Sequence, residues 1–145
     1  MKKIVALILA TSMVFALCGC GSNEDKEKLC EGVWVNHNKS SGPLGPYAYW
    51  NIYDFSANGS FTYSEYRITL GHLLDDEYHG TYKMDTNKHE IILTYNKDEN
   101  GEQRASETIP YYINEYTHEL VFKPNAEGKS YYSNRSSIES IDFSM

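Results

Sequence analysis

Cysteine, positive charge and long apolar runs are all scarce in this chain of 145 residues, and each shortage removes a class of protein. Three cysteines, at positions 18, 20 and 30, are too few to build a disulfide scaffold. Thirteen Lys and Arg against twenty Asp and Glu leave a formal charge of −7. That balance excludes nucleic acid as a partner and electrostatic adhesion to an anionic bilayer. The longest apolar stretch, Ile4 to Leu17, is fourteen residues. A membrane-spanning helix needs about 20. The marks of chemistry are missing as well. No Gly-x-Ser-x-Gly elbow occurs, no His lies near Cys30 in sequence, and the five His are scattered. His72, Asp75, Asp76, Glu77 and His79 match no metal-ligand spacing, and Asp98 to Glu102 lacks the ligand ladder of a calcium loop. The expectation is therefore no catalytic, metal or cofactor residue, and a chain that is not an enzyme.

What is present begins with Lys2-Lys3, the fourteen-residue apolar run, and then Leu17-Cys18-Gly19-Cys20. The length suits the central region of a secretory signal peptide, so the remainder is expected to be exported. A Leu three before a Cys, with a small Gly just before it, resembles the lipobox of bacterial lipoproteins. That resemblance implies a diacylglyceryl group on the Cys20 sulfur, cleavage after Gly19, and a chain held on the extracytoplasmic face of the cell membrane. Residues 1–19 are then the signal peptide. Two acyl chains together hold stably where one is marginal. Removing Lys2 and Lys3 takes the charge from −7 to −9 over 126 residues, enough for one domain with its own core.

Residues 20–29 read as a polar, lipidated spacer in which Asn23 to Leu29 can take up a helical turn, and the folded domain is expected over 30–135. Cys30 is left without an intramolecular partner and reads as a small buried residue, with a thiol that pairs between chains as the alternative. Thirteen Tyr with Trp34 and Trp50 favour strands. Val33 to Val35 reads as a first strand, and Ser40 to Pro46 as a loop kept unpaired by its Pro and Gly. Tyr47 to Phe55 follows, then an Asn58-Gly59 hairpin turn and Ser60 to Thr69. Leu70 to Asp76 reads as a loop. Further strands are expected at Tyr78 to Met84, His89 to Tyr95, Gln103 to Ile113, Leu120 to Phe122 and Ser130 to Asn134. Pro110 implies an edge position or a bulge. Residues 136–145 form a tail, either a short helix or a closing strand.

Eight short strands joined by short loops predict an all-β fold, an antiparallel up-and-down meander closing into a barrel, with a two-sheet sandwich as the runner-up. Gly32-Val33-Trp34, Tyr53-Asp54-Phe55 before Asn58-Gly59-Ser60-Phe61, Gly80-Thr81-Tyr82, and Ile91 to Tyr95 resemble, in their order, the small lipocalin-like domains of unknown function in bacterial lipoproteins. The resemblance covers about Gly32 to Phe122. It implies an eight-stranded barrel with Trp34 packed across the floor, and supplies no catalytic residues.

The inward phase carries Tyr49, Tyr53, Phe55, Phe61, Tyr63, Tyr82, Leu93, Tyr95, Tyr111 and Phe122, which favours a filled interior over an open cavity. Glu65 and Arg67 share that phase and would orient a polar ligand group at one rim. Alternatively, a bulge after Ser64 turns Tyr66 and Ile68 inward and leaves both charges in water, and this is the favoured reading. Tyr47, Tyr49 and Trp50 beside the Gly/Pro-rich stretch are the expected contacts of a small or partly apolar ligand at the mouth. The other reading is an interaction module docking an envelope protein or cell-wall polymer through solvent-facing Trp50, Tyr66, Tyr112 and Tyr132.

Overall fold

The computed structural model describes residues 23–43, 45–69 and 72–143, so the expected signal peptide over 1–19 and Cys20 lie outside the described residues. Helix α1 (Asn23–Leu29) is followed by strands β1 (Val33–Gly42), β2 (Gly45–Phe55), β3 (Ser60–Thr69), β4 (His72–Asp85), β5 (Glu90–Tyr95), β6 (Glu107–Ile113), β7 (Leu120–Phe122) and β8 (Ser133–Arg135). All eight strands form one antiparallel sheet in the order β7-β6-β5-β4-β3-β2-β1-β8. Sequential hairpins account for every neighbour except β8, which returns to pair with β1. The fold is thus all-β, a meander curled into a half-barrel.

The curl is wound around aromatic rings. Period-two alternation puts Trp34, Tyr53, Phe55, Phe61, Tyr63, Tyr82, Leu93, Tyr95, Tyr111 and Phe122 on the concave face, all buried. Phe122 lies 5.4 Å from Trp34, 5.5 Å from Tyr53 and 5.1 Å from Tyr132, ring centre to ring centre, so β7 packs over the first two strands. Gly80 is buried where any Cβ would clash with the Thr94 carbonyl and the Phe61 ring, a close approach only glycine permits. The curl's two end strands share no ladder. They are joined by a Pro124–Ser130 bridge, the Tyr131 N–H donating to the Lys123 carbonyl, and the Ser130 hydroxyl donating to the Phe122 carbonyl.

Pro110 sits in an interior strand, neither on an edge nor in a bulge. Its carbonyl accepts from Lys123, and the N–H it lacks leaves the Lys123 carbonyl for Tyr131. Lys123 itself has φ +48°, and here β7 peels off β6 and turns toward β8. The Asn58-Gly59 turn is present, yet only Gly59 takes positive φ, +90°. The Asn58 carboxamide oxygen instead accepts from the Ser60 N–H and hydroxyl.

Three further expectations about strands and loops need correction. Ser40 to Pro46 is a continuation of the β1–β2 hairpin, paired through Gly42 and Gly45, with Pro43 in the turn. Leu70 to Asp76 is largely strand, because β4 starts at His72 and pairs back to Thr69. No bulge follows Ser64, since β3 runs in continuous register from Ser60 to Thr69 against both neighbours. These extensions give β1–β4 a ribbon projecting beyond the packed core.

The convex face of that ribbon carries a second cluster of Val33, Val35, Ala48, Trp50 and Ile52, with Tyr66 and Ile68 beside it. The tail covers it. A 3₁₀ turn at Ile138–Ser140 leads into an extended end, and Ile138, Ile141 and Phe143 pack against the cluster. Phe143 lies 5.4 Å from Trp50 and 5.0 Å from Tyr66. Residues 23–29, read as spacer, form α1, whose Leu29 is fully buried and accepts a 2.9 Å hydrogen bond from the Trp34 indole. Cys30 is half-buried, with its sulfur 3.2 Å from the Tyr82 hydroxyl.

Two substitutions test this packing. Gly80→Ala should lower unfolding stability by about 2–3 kcal/mol, read by denaturant titration. Phe143→Ala should cost about 1–2 kcal/mol and shift tryptophan emission to the red as Trp50 meets water. An unchanged emission spectrum would contradict the position of the tail.

Candidate functional site

The concave face continues past the packed rings onto the projecting ribbon, and the register fixes which side chains share it. One row across the ribbon is Trp34, Tyr53, Tyr63 and Tyr78; the next on that face is Asn36, Asn51, Glu65 and Asp76. Beyond it lie Asn38, Tyr49, Arg67 and Leu74, then Ser40, Tyr47, Thr69 and His72. Tyr47, Tyr49, Glu65 and Arg67 are thereby brought together on one open surface at the mouth of the curl. Trp50 is not among them. It points to the convex face, 1% exposed, sandwiched between the tail and a stacked His37 ring 4.6 Å away. Of the other aromatics expected in solvent, Tyr132 is buried in the concave core, and Tyr66 and Tyr112 are half-buried.

Where the mouth meets the core, the tyrosine hydroxyls need partners, and charged groups supply them. Glu107 accepts from the Tyr53 hydroxyl at 3.2 Å and the Tyr95 hydroxyl at 3.4 Å, while its other oxygen takes the Lys123 ammonium at 3.1 Å. The Tyr63 hydroxyl donates to the Asn51 carboxamide oxygen at 3.3 Å. Glu65 pairs with Arg104 at 3.1 Å. The Arg104 guanidinium lies over three rings, 4.9 Å from the centres of Tyr63 and Tyr78 and 5.2 Å from Tyr95. Arg67 and Asp76 pair at 3.4 Å with both side chains more than half exposed, so this pair adds little stability.

Burial pushes the phenols of Tyr53, Tyr63 and Tyr132 well above the usual tyrosine range and raises that of Tyr95, and the neighbouring Glu107 or Glu65 carboxylates add to the push. Partial burial works against the Arg104 charge, but the Glu65 hydrogen bond and the surrounding tyrosines outweigh it and leave its pKa raised. The arrangement suits recognition of a polar or charged group against aromatic walls.

Arg104, Glu107, Lys123 and Tyr95 were not singled out as site residues from the sequence. Glu107 was within reach, because it shares the alternation of Ile109, Tyr111 and Ile113 and so points inward. Arg104 stands outside any named strand, where periodicity gives no signal.

The residues His72 to His79 alternate across β4, with His72 and Asp76 on one face and Asp75, Glu77 and His79 on the other. Asp98 is taken up by the Asn100 and Glu102 backbone N–H groups of its own hairpin tip. At the end of the curl opposite the mouth, a hollow of about 810 Å³ lies between α1, the β7 edge and β8, lined by Trp34, Leu120 and Tyr132 among others. No family model, curated protein or solved structure matches the chain.

The raised phenols set a pH limit. Below about pH 10 folded and unfolded chains both hold these protons; above it only the unfolded chain releases them, so stability falls as pH rises. The slope is about 1.4 kcal/mol per pH unit for each such tyrosine. Alkaline titration should therefore show phenolate absorbance appearing together with loss of near-ultraviolet circular dichroism. Smooth titration of all thirteen tyrosines with the fold intact would contradict the burial.

Proposed function

We propose that this chain is a membrane-anchored extracytoplasmic lipoprotein whose lipocalin-like domain is a non-enzymatic binding module for a small or partly apolar ligand. A diacylglyceryl group on Cys20 supplies the membrane attachment, and the contact residues are Tyr47, Tyr49, Glu65 and Arg67. One observation carries the reading: these four side chains share one open concave face directly above a tyrosine-walled, ion-paired rim. Rings occupy the inside of the curl below that rim, so the ligand sits at the mouth and not in a deep cavity.

The up-and-down strand order supports the lipocalin-like reading, with the Pro124–Ser130 bridge taking the place of the last ladder of a closed barrel. The −9 charge of residues 20–145 favours lipid over electrostatics as the anchor and disfavours nucleic acid.

A second reading, docking of an envelope protein or cell-wall polymer, is favoured by the free end of the ribbon. There Leu73 and Leu74 are 56% and 52% exposed and Tyr47 is 40% exposed.

Native mass spectrometry of the chain purified from its own host separates the two readings. A retained small molecule, lost in Tyr49→Ala/Arg67→Ala, is expected for the ligand module. A retained macromolecule, lost in Leu73→Ser/Leu74→Ser, identifies the docking module. Metabolic labelling should place palmitate on the wild-type chain and none on Cys20→Ser, and palmitate-free wild type would overturn the anchor.

A further inference from the structure

The Arg104 contact is a complete cation site. Three tyrosine rings and a carboxylate surround one guanidinium, an arrangement that suits guanidinium and alkylated ammonium groups generally. The walls stand without their occupant. Tyr63 and Tyr95 are buried, and Tyr78 contacts both at ring-centre distances of 6.0 and 6.2 Å. Such a site is preorganised, so a ligand need not order it.

The occupant, by contrast, is loosely tied. The β5–β6 ladder ends at Leu93 and Glu107, and Arg104 belongs to the segment that bulges out between them. That segment is held by the Lys97–Gln103 bridge and the Gln103 carboxamide donating to the Tyr95 carbonyl at 2.5 Å. Arg104 can therefore leave without unpairing a strand. Its side chain is 37% exposed, so the cage already opens to water at the mouth. The chain's excess of negative charge draws cations toward this opening.

We infer that the Tyr63–Tyr78–Tyr95–Glu65 cage is the recognition site for a small organic cation bearing a guanidinium or alkylated ammonium head, and that Arg104 is its resident competitor. The inference rests on the mouth being a ligand site, and names the ligand class. Exchange of one cation for another keeps Glu65 paired and leaves the charge inside the cage unchanged. Selectivity then comes from what the rest of the ligand touches, with Tyr49 and Asn51 beside the cage in the register.

The test is calorimetric titration of the full mature chain with N-methylguanidinium, with tetramethylammonium, and with N-methylurea as the neutral isostere. Wild type should bind the cations weakly and methylurea undetectably. Arg104→Ala should bind at least one cation about tenfold tighter or more, and adding Glu65→Gln should abolish that gain. The relative gain of the two cations tells which head group the cage prefers.

An Arg104→Ala chain with native near-ultraviolet dichroism that binds cations no better than wild type would overturn the inference, as would equal affinity for methylurea. Should Arg104→Ala fail to fold, Tyr78→Leu in the wild-type background decides the matter: weakened cation binding supports the cage, and unchanged binding overturns it. A neutral or anionic molecule retained from the host would sink the cage while leaving the ligand module standing. A cage that binds cations in a chain that carries nothing from its host would do the reverse.

Discussion

Ring packing between Phe122 and the aromatic side chains of β1 and β2 is the contact on which the rest of the molecule depends. A flat eight-stranded sheet would leave its apolar face in water, and a sheet can bury that face against itself only by curling. Phe122 meets Trp34, Tyr53, Phe55 and Tyr132 within 5.8 Å between ring centres, drawing the last ladder strand over the first two. Only three residues of β7 pair with β6, so side-chain packing rather than a long ladder holds that strand in place. Tyr53 is the hub on the other side, touching five rings from β2, β3, β7 and the segment before β8.

Filling a core with tyrosine in place of phenylalanine brings a polar atom with every ring. Those hydroxyls cannot stay unpaired in a dry interior: Tyr82 and Tyr111 donate to the Ser56 carbonyl and Asp25, while Tyr53, Tyr63 and Tyr95 turn theirs to the open end, where Glu107 and Asn51 accept from them. The carboxylates in turn need cations, which Lys123 and Arg104 provide. A polar, charge-balanced rim is thus a direct consequence of the choice of core residue.

Alternation in the sequence reports burial, and it located strands wherever one face is buried. Tyr53, Phe55, Phe61, Tyr63, Tyr82, Leu93, Tyr95, Tyr111 and Phe122 were all legible as inward for that reason, whereas Tyr49, of the same phase, lies half-buried beyond the packed rings. It fails where both faces meet solvent. The ends of β1 and β4 are exposed on both sides, leaving no apolar period, so paired strands there looked like loops. It fails again where both faces are covered. Val33-Trp34-Val35 is apolar without interruption because the tail closes the outer face, and Trp50, assigned to solvent from its phase alone, is buried for the same reason. The tail itself packs through Ile138, Ile141 and Phe143, which mix a helical step of three with a strand step of two and so decide for neither. Four of the five expected contacts share the mouth, whereas Arg104 reaches it through a loop whose path no local pattern encodes.

The antiparallel order also fixes which end of the molecule is which. Helix α1 packs at the end formed by Trp34, Tyr111 and β7, with Tyr111 donating to Asp25, and the Glu65–Arg104 rim lies at the opposite ends of the same strands. Three peptide bonds separate Cys20 from the first residue of α1. Fully stretched, they reach about 11 Å. Under the anchoring proposed above, a lipid on that cysteine would hold the helix end near the headgroups like the foot of a goblet, with the cup turned away from the bilayer.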